Sequence, residues 1–172
     1  MNFDFKYLLE GNYPPSSRVW VYQASLLFSM SEAIEIEGML KDFTSKWQSH
    51  GTPVKGTGYL LFGQFVILMV DEAGSGISGC STDTSVRLMK DIEQRFNVSM
   101  FDRTMLAFIA KDKIQLLPLS QLQYAFDNGF IDADTLYFNN IVQTKEELEE
   151  NWIIPLKKSW LTTRLSNFKS AY

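Results

Sequence analysis

An α+β fold is predicted, with a ferredoxin-like βαββαβ core of largely antiparallel or mixed sheet and helices packed on one face. Three observations lead to it. Apolar runs and amphipathic helical stretches follow one another between Arg18 and Ala110 in the order strand, helix, strand, strand, helix, strand. Short turns separate the paired strands, which favours hairpins over parallel crossovers. At 172 residues with 45% apolar composition, the chain suits one well-cored domain. A core at about 18–117 and a mixed C-terminal extension at about 118–172 are expected.

Phe3 to Leu9 can form a short helix before Gly11 and Pro14-Pro15 interrupt it, and Arg18 to Gln23 reads as the first strand. Ser29 and Glu32 then have capping-box spacing, opening a helix of 31–49 that Gly51 and Pro53 close. Its apolar stripe is Ile36, Met39, Leu40, Phe43 and Trp47, while Glu37/Lys41 and Asp42/Lys46 are spaced for i,i+4 pairs. Tyr59–Phe62 and Gln64–Val70 are strands meeting at Gly63. The unbroken apolar character of the second predicts a central strand buried on both faces.

After a loop of small residues, in which 77–80 could add a short edge strand, a helix is expected from about Thr84 to Phe96, with Thr82 or Asp83 as its N-cap. Thr104–Ala110 and Lys113–Leu117 form a hairpin turned by Lys111-Asp112, and Pro118 stops it. A short helix from Ser120 ends at Gly129. Thr135–Val142 reads as a strand, and Thr144 with Glu147 as a capping box; Trp152–Leu165 carries two tryptophans around Pro155.

The loop Gly74-Ser-Gly-Ile-Ser-Gly79-Cys80-Ser81 fits the frame G-x-x-x-x-G-K-[ST], with Cys80 where the phosphate-binding lysine belongs. A neutral thiol brings no charge to a β- or γ-phosphate, so nucleotide hydrolysis through a degenerate P-loop is the least favoured function. A glycine-rich turn entering a helix still presents backbone N–H groups to an anion. Ser78, Gly79, Cys80, Ser81, Thr82 and Asp83 are therefore the candidate anion- or ligand-binding residues. Cys80, the lone thiol, is the candidate nucleophile, because the positive end of a helix dipole lowers a thiol pKa. Asp83 and His50, the lone histidine, are its candidate partners. The spacing from Cys80 to Arg87 exceeds the Cys-x5-Arg frame of cysteine phosphatases by one residue.

The formal charge of −4, with acids and bases interspersed, gives no basic field for nucleic acid or an anionic membrane. The N-terminus has no charged n-region followed by an apolar h-region, so a cytoplasmic protein is expected. One cysteine and one histidine leave no metal-site pattern, and no cofactor is expected. Partners allowed by the residues are a small anionic ligand and a second copy of the chain.

The segments Arg18-Val-Trp-Val-Tyr-Gln-Ala-Ser, His50-Gly-Thr-Pro-Val-Lys-Gly, Leu61-Phe-Gly-Gln-Phe, Gly79-Cys-Ser-Thr-Asp-Thr-Ser-Val-Arg and Ile114-Gln-Leu-Leu-Pro-Leu-Ser-Gln-Leu resemble an uncharacterised family of small bacterial proteins. The likeness extends from Arg18 to Trp160. Members are sometimes labelled ABC transporter ATPases, a label implying a nucleotide site for which this chain lacks the lysine after Gly79. The resemblance implies no catalytic residue. The residues favour a ligand-binding or interaction module with its polar loop at 71–85; a small enzyme acting through Cys80 is the alternative.

Overall fold

The computed structural model describes residues 2–49, 51–72, 79–166 and 168, with backbone alone at 79–82. It is an α+β arrangement of antiparallel sheets. β1 (Arg18–Gln23) leads to α1 (Met30–Lys46), the small hairpin β2 (Gln48–Ser49) and β3 (Thr52–Pro53), then β4 (Gly56–Leu61) and β5 (Phe65–Val70). α2 (Gly79–Phe96), β6 (Met105–Ala110), β7 (Lys113–Pro118), α3 (Leu122–Asp127), β8 (Leu136–Phe138), α4 (Lys145–Asn151) and β9 (Ile153–Pro155) follow. Short 3-10 turns precede α3 and close the C-terminal region.

The strands form two larger sheets, β1-β5-β4 and β7-β6-β8-β9. In a ferredoxin-like sheet the sixth element would lie beside β1. Here β6 pairs with β7 and β8 instead. Its own alternation explains this: Ala107 and Ile109 face one apolar cluster, Leu106 and Phe108 another, so β6 is a central strand that needs neighbours on both edges.

Four layers result. α1 and α2 cover one face of the first sheet, where Trp20, Tyr22, Leu60, Val66, Leu68 and Val70 meet Ile36, Leu40, Met89 and Ile92. On the other face Val19, Leu61, Phe65, Ile67 and Met69 meet Ala107, Phe138 and Trp152 of the second sheet and its flank. The far side of the second sheet packs on α3 and the C-terminal turns through Leu122, Ala125, Leu156 and Leu161. β5 is buried at every residue because it is central in one sheet and that sheet lies between helices and a second sheet. Among the described residues no helix is long and apolar enough to cross a membrane.

α1 begins as its sequence directs: Glu32 N–H donates to Ser29 Oγ at 3.4 Å and Ser29 N–H to Glu32 Oε2 at 2.7 Å. The Ser29 N–H holds the Glu32 carboxyl below its ordinary range. This contribution is present above the ordinary glutamate pKa and is lost as pH falls through the lowered one. Ser29→Ala should cost about 1 kcal/mol, read from the denaturation midpoint. α1 stops at Lys46, with Trp47 as its C-cap, because the chain turns there into the β2–β3 hairpin rather than continuing to Ser49. Lys46 pairs with Asp42, whereas no ion pair joins Glu37 and Lys41.

α2 starts at Gly79, one turn earlier than the Ser/Thr/Asp run suggests. Thr82 and Asp83 are therefore helical rather than capping, and Gly79 and Cys80 are not in an edge strand. Acidic and hydroxyl residues also suit a first turn, so their composition does not locate the cap. The predicted strand 135–142 narrows to Leu136–Phe138. Asp132 draws the preceding segment into a turn by accepting the N–H groups of Asp134 and Thr135.

Candidate functional site

Hydrogen-bond parity along β1 decides what its outer edge offers. Ala24 N–H donates to Gln64 O across the β1–β5 register, so Arg18, Trp20 and Tyr22 bond inward to β5 while Val19, Val21 and Gln23 direct their backbone groups outward. Val19 N–H donates to Gln143 O at 2.8 Å, and Lys145 N–H to Ser17 O at 2.9 Å. The 143–145 segment thus covers only the first half of that edge. At Val21 the edge opens into a cleft of about 480 Å³ between β1, residues 100–106 and residues 137–143.

One end of this cleft is held by a relay of amides. Gln23 Nε2 donates to Met105 O at 3.0 Å; Asn140 Nδ2 donates to Gln23 Oε1 at 2.8 Å; Trp152 Nε1 donates to Asn140 Oδ1 at 2.9 Å. Each partner is satisfied in a low-dielectric setting, which fixes the relative position of the two sheets. The side wall is aromatic. Tyr22 meets Phe101 edge-on at 5.8 Å, and its hydroxyl lies 3.3 Å from Ser85 Oγ on α2. Burial pushes the Tyr22 phenol pKa up, with Ser85 and the Arg103 charge acting against it.

Two guanidiniums reach the rim. Arg18 lies over the Trp20 ring at 5.2 Å and 3.7 Å from Glu72, a half-exposed pair of little energetic weight. Arg103 has no ion pair among the described residues. The neighbouring Asp102 is engaged in an Asx turn: its Oδ1 accepts from Thr104 Oγ1 at 2.6 Å and Thr104 N–H at 2.9 Å. Those bonds hold the Asp102 carboxyl below its usual range.

Of the sequence-derived candidates only Asp83 has a described side chain, and it is not among the residues lining this cleft. Ser78 and His50 lie outside the described residues. Gly79, Cys80, Ser81 and Thr82 form the first turn of α2, described as backbone only, and Asp83 is exposed on that helix. One turn further, Ser85 reaches Tyr22 and Val86 lines the cleft, so the 71–85 stretch meets the site at its last residue. Asp71 is engaged elsewhere, 3.1 Å from Lys55 Nζ. Lys55 also donates to Asn12 O and lies over the Tyr13 ring, whose phenol is pushed up to about 12, first by burial and then by Glu10.

Sequence reasoning passed over Arg18, Trp20, Tyr22, Arg103 and Asn140. The alternation Arg18-x-Trp20-x-Tyr22 was a usable signal, since strand geometry places all three on one face. Nothing local marks Asn140, whose partner Gln23 is 117 residues away. Among the described residues no cluster of His, Cys, Asp and Glu is placed to hold a metal ion. No protein-family model, curated protein or solved structure matches this chain.

Proposed function

We propose that the protein is a small-ligand-binding module and that its ligand, an organic anion with a planar apolar body, lies in the cleft beside β1. The observation that carries this reading is Arg103, without an ion pair among the described residues, at the rim of an aromatic-walled cleft whose edge exposes the Val21 amide and carbonyl. A planar body matches the Trp20 and Tyr22 walls, and a carboxylate or phosphate matches a guanidinium fork. In this reading β1, α1, β4, β5 and α2 follow the ferredoxin-like plan, and the ligand occupies the place beside β1 where that plan puts its last strand. The family kinship, the cytoplasmic setting and self-association belong to the same proposal. Chemistry at Cys80 is the alternative, and its side chain lies outside the described residues.

Tryptophan fluorescence tests the reading, because Trp20 and Trp160 both border the cleft. Indole-3-acetate and 1-naphthoate should quench saturably, more weakly at high salt, and Arg103→Ala should weaken binding by about tenfold. Quenching that does not saturate, or an affinity indifferent to Arg103, would sink the proposal.

A further inference from the structure

The opposite edge of the first sheet has a different character. Asp71 N–H donates to Lys55 O, so in the β4–β5 register Thr57, Tyr59 and Leu61 bond inward and Gly56, Gly58 and Leu60 direct their N–H and C=O groups outward. Among the described residues no backbone or side-chain group bonds to these outward groups. They form the floor of a groove of about 470 Å³. One wall is the N-terminal segment at Leu8, Glu10 and Tyr13, tied to the strand by Glu10 N–H donating to Tyr59 Oη at 3.0 Å and by Thr57 Oγ1 donating to Glu10 Oε1 at 3.2 Å. The other is α1 at Glu37, Lys41 and Thr44.

We propose that this groove binds an extended peptide segment of a partner protein, bearing a basic side chain, as an added strand on β4. Three arguments select that occupant. Unpaired edge amides and carbonyls are satisfied by a chain in β conformation, and main-chain bonds supply the affinity in such additions. A second copy pairing through its own β4 is sterically refused. α1 lies directly over β4, since a Cβ on Gly58 would stand 3.2 Å from Leu40 Cδ2 and one on Gly56 2.7 Å from Trp47 Cε3. Strands pair at roughly 4.8 Å while packed helices need about 8 to 10 Å, so two such helices collide before two such strands meet. An added strand therefore comes without a helix above it. The third argument is charge: the walls set the carboxylates of Glu10 and Glu37 against the single ammonium of Lys41, and neither Glu37 nor Lys41 has an ion-pair partner among the described residues.

Backbone hydrogen exchange followed by NMR tests this, with an acetylated, amidated heptapeptide of sequence TVKVKVT as probe. In the free protein the amides of Gly56, Gly58 and Leu60 should exchange rapidly while Thr57, Tyr59 and Leu61 are protected. Saturating peptide should slow the first three. N-methylation at one alternate set of peptide residues should abolish this and at the other set should not, because alternate N–H groups of a strand face opposite edges. Glu37→Lys, an exposed change, should weaken the basic peptide by about tenfold relative to one with Glu in place of Lys. Protection of the three amides in free protein, no slowing at millimolar peptide, or equal binding by both N-methylated forms would overturn the proposal. So would protection that rises with protein concentration alone, the sign of a second copy on this edge. Arg103→Ala leaves this readout unchanged, which separates it from the cleft of β1.

Discussion

Trp152→Ala should lower the unfolding free energy by about 3 to 5 kcal/mol, the range for truncating a fully buried aromatic side chain. Trp152 is 0% exposed at the join between the two sheets. Its ring meets Phe5 edge-on at 4.8 Å, Phe65 at 5.2 Å, Phe138 at 5.3 Å and Phe62 at 5.9 Å, so truncation opens a cavity bordered by both sheets and the N-terminal segment. The indole N–H is a separate matter. It donates to Asn140 Oδ1, and its loss leaves that acceptor unpaired beside the amide relay to Gln23 and Met105. Trp152→Phe removes the donor and part of the ring system but keeps a buried phenyl, so it should cost clearly less than alanine. Urea titration reads both. If alanine costs under about 1 kcal/mol, the sheets do not share this core. Because Asn140 lines the β1 cleft, the phenylalanine variant should also weaken the aromatic-acid probe while leaving peptide protection on β4 intact.

What the sequence made legible was local. The Ser29–Glu32 cap, the Ile36 and Leu40 stripe and the doubly buried run of β5 all follow from spacing within a dozen residues. What it hid depends on partners distant in the chain. Phe65 to Val70 shows that both faces of β5 are covered, yet not that one cover is another sheet, since Phe138 and Trp152 would read equally well as the core of a separate extension. The destination of β6 was hidden for the same reason: its two apolar faces are compatible with a place beside β1 or at the centre of a second sheet, and pairing is a nonlocal choice. The cleft follows from that choice. Once β6 departs and residues 143–145 cover only half of β1, the Val21 edge is left open between Arg18 and Arg103, side chains unremarkable in their own segments.

Gly56→Ala and Gly38→Ala should move stability in opposite directions. At Gly56 an added Cβ would stand 2.7 Å from Trp47 Cε3, and Trp47 is 3% exposed, held at the end of α1 against the Phe43 ring at 4.8 Å and the Trp20 ring at 6.0 Å. The indole therefore has little room to retreat, and the methyl should cost about 1 to 3 kcal/mol as overpacking. The backbone does not require glycine there, because Gly56 is not among the glycines with positive φ. The cost is one of volume alone, so Trp47→Phe should recover part of it in the double variant and the two effects should couple rather than add. Gly38 lies within α1, exposed, with nothing within 4 Å of an added Cβ. There alanine removes backbone freedom from the unfolded chain and should stabilise by about 0.5 to 1 kcal/mol. Thermal or urea unfolding of the two single variants checks the sign directly. A neutral Gly56→Ala would mean that α1 stands off from β4. The groove wall formed by Glu37 and Lys41 would then be wider than one strand, and the steric exclusion of a second copy would fall with it.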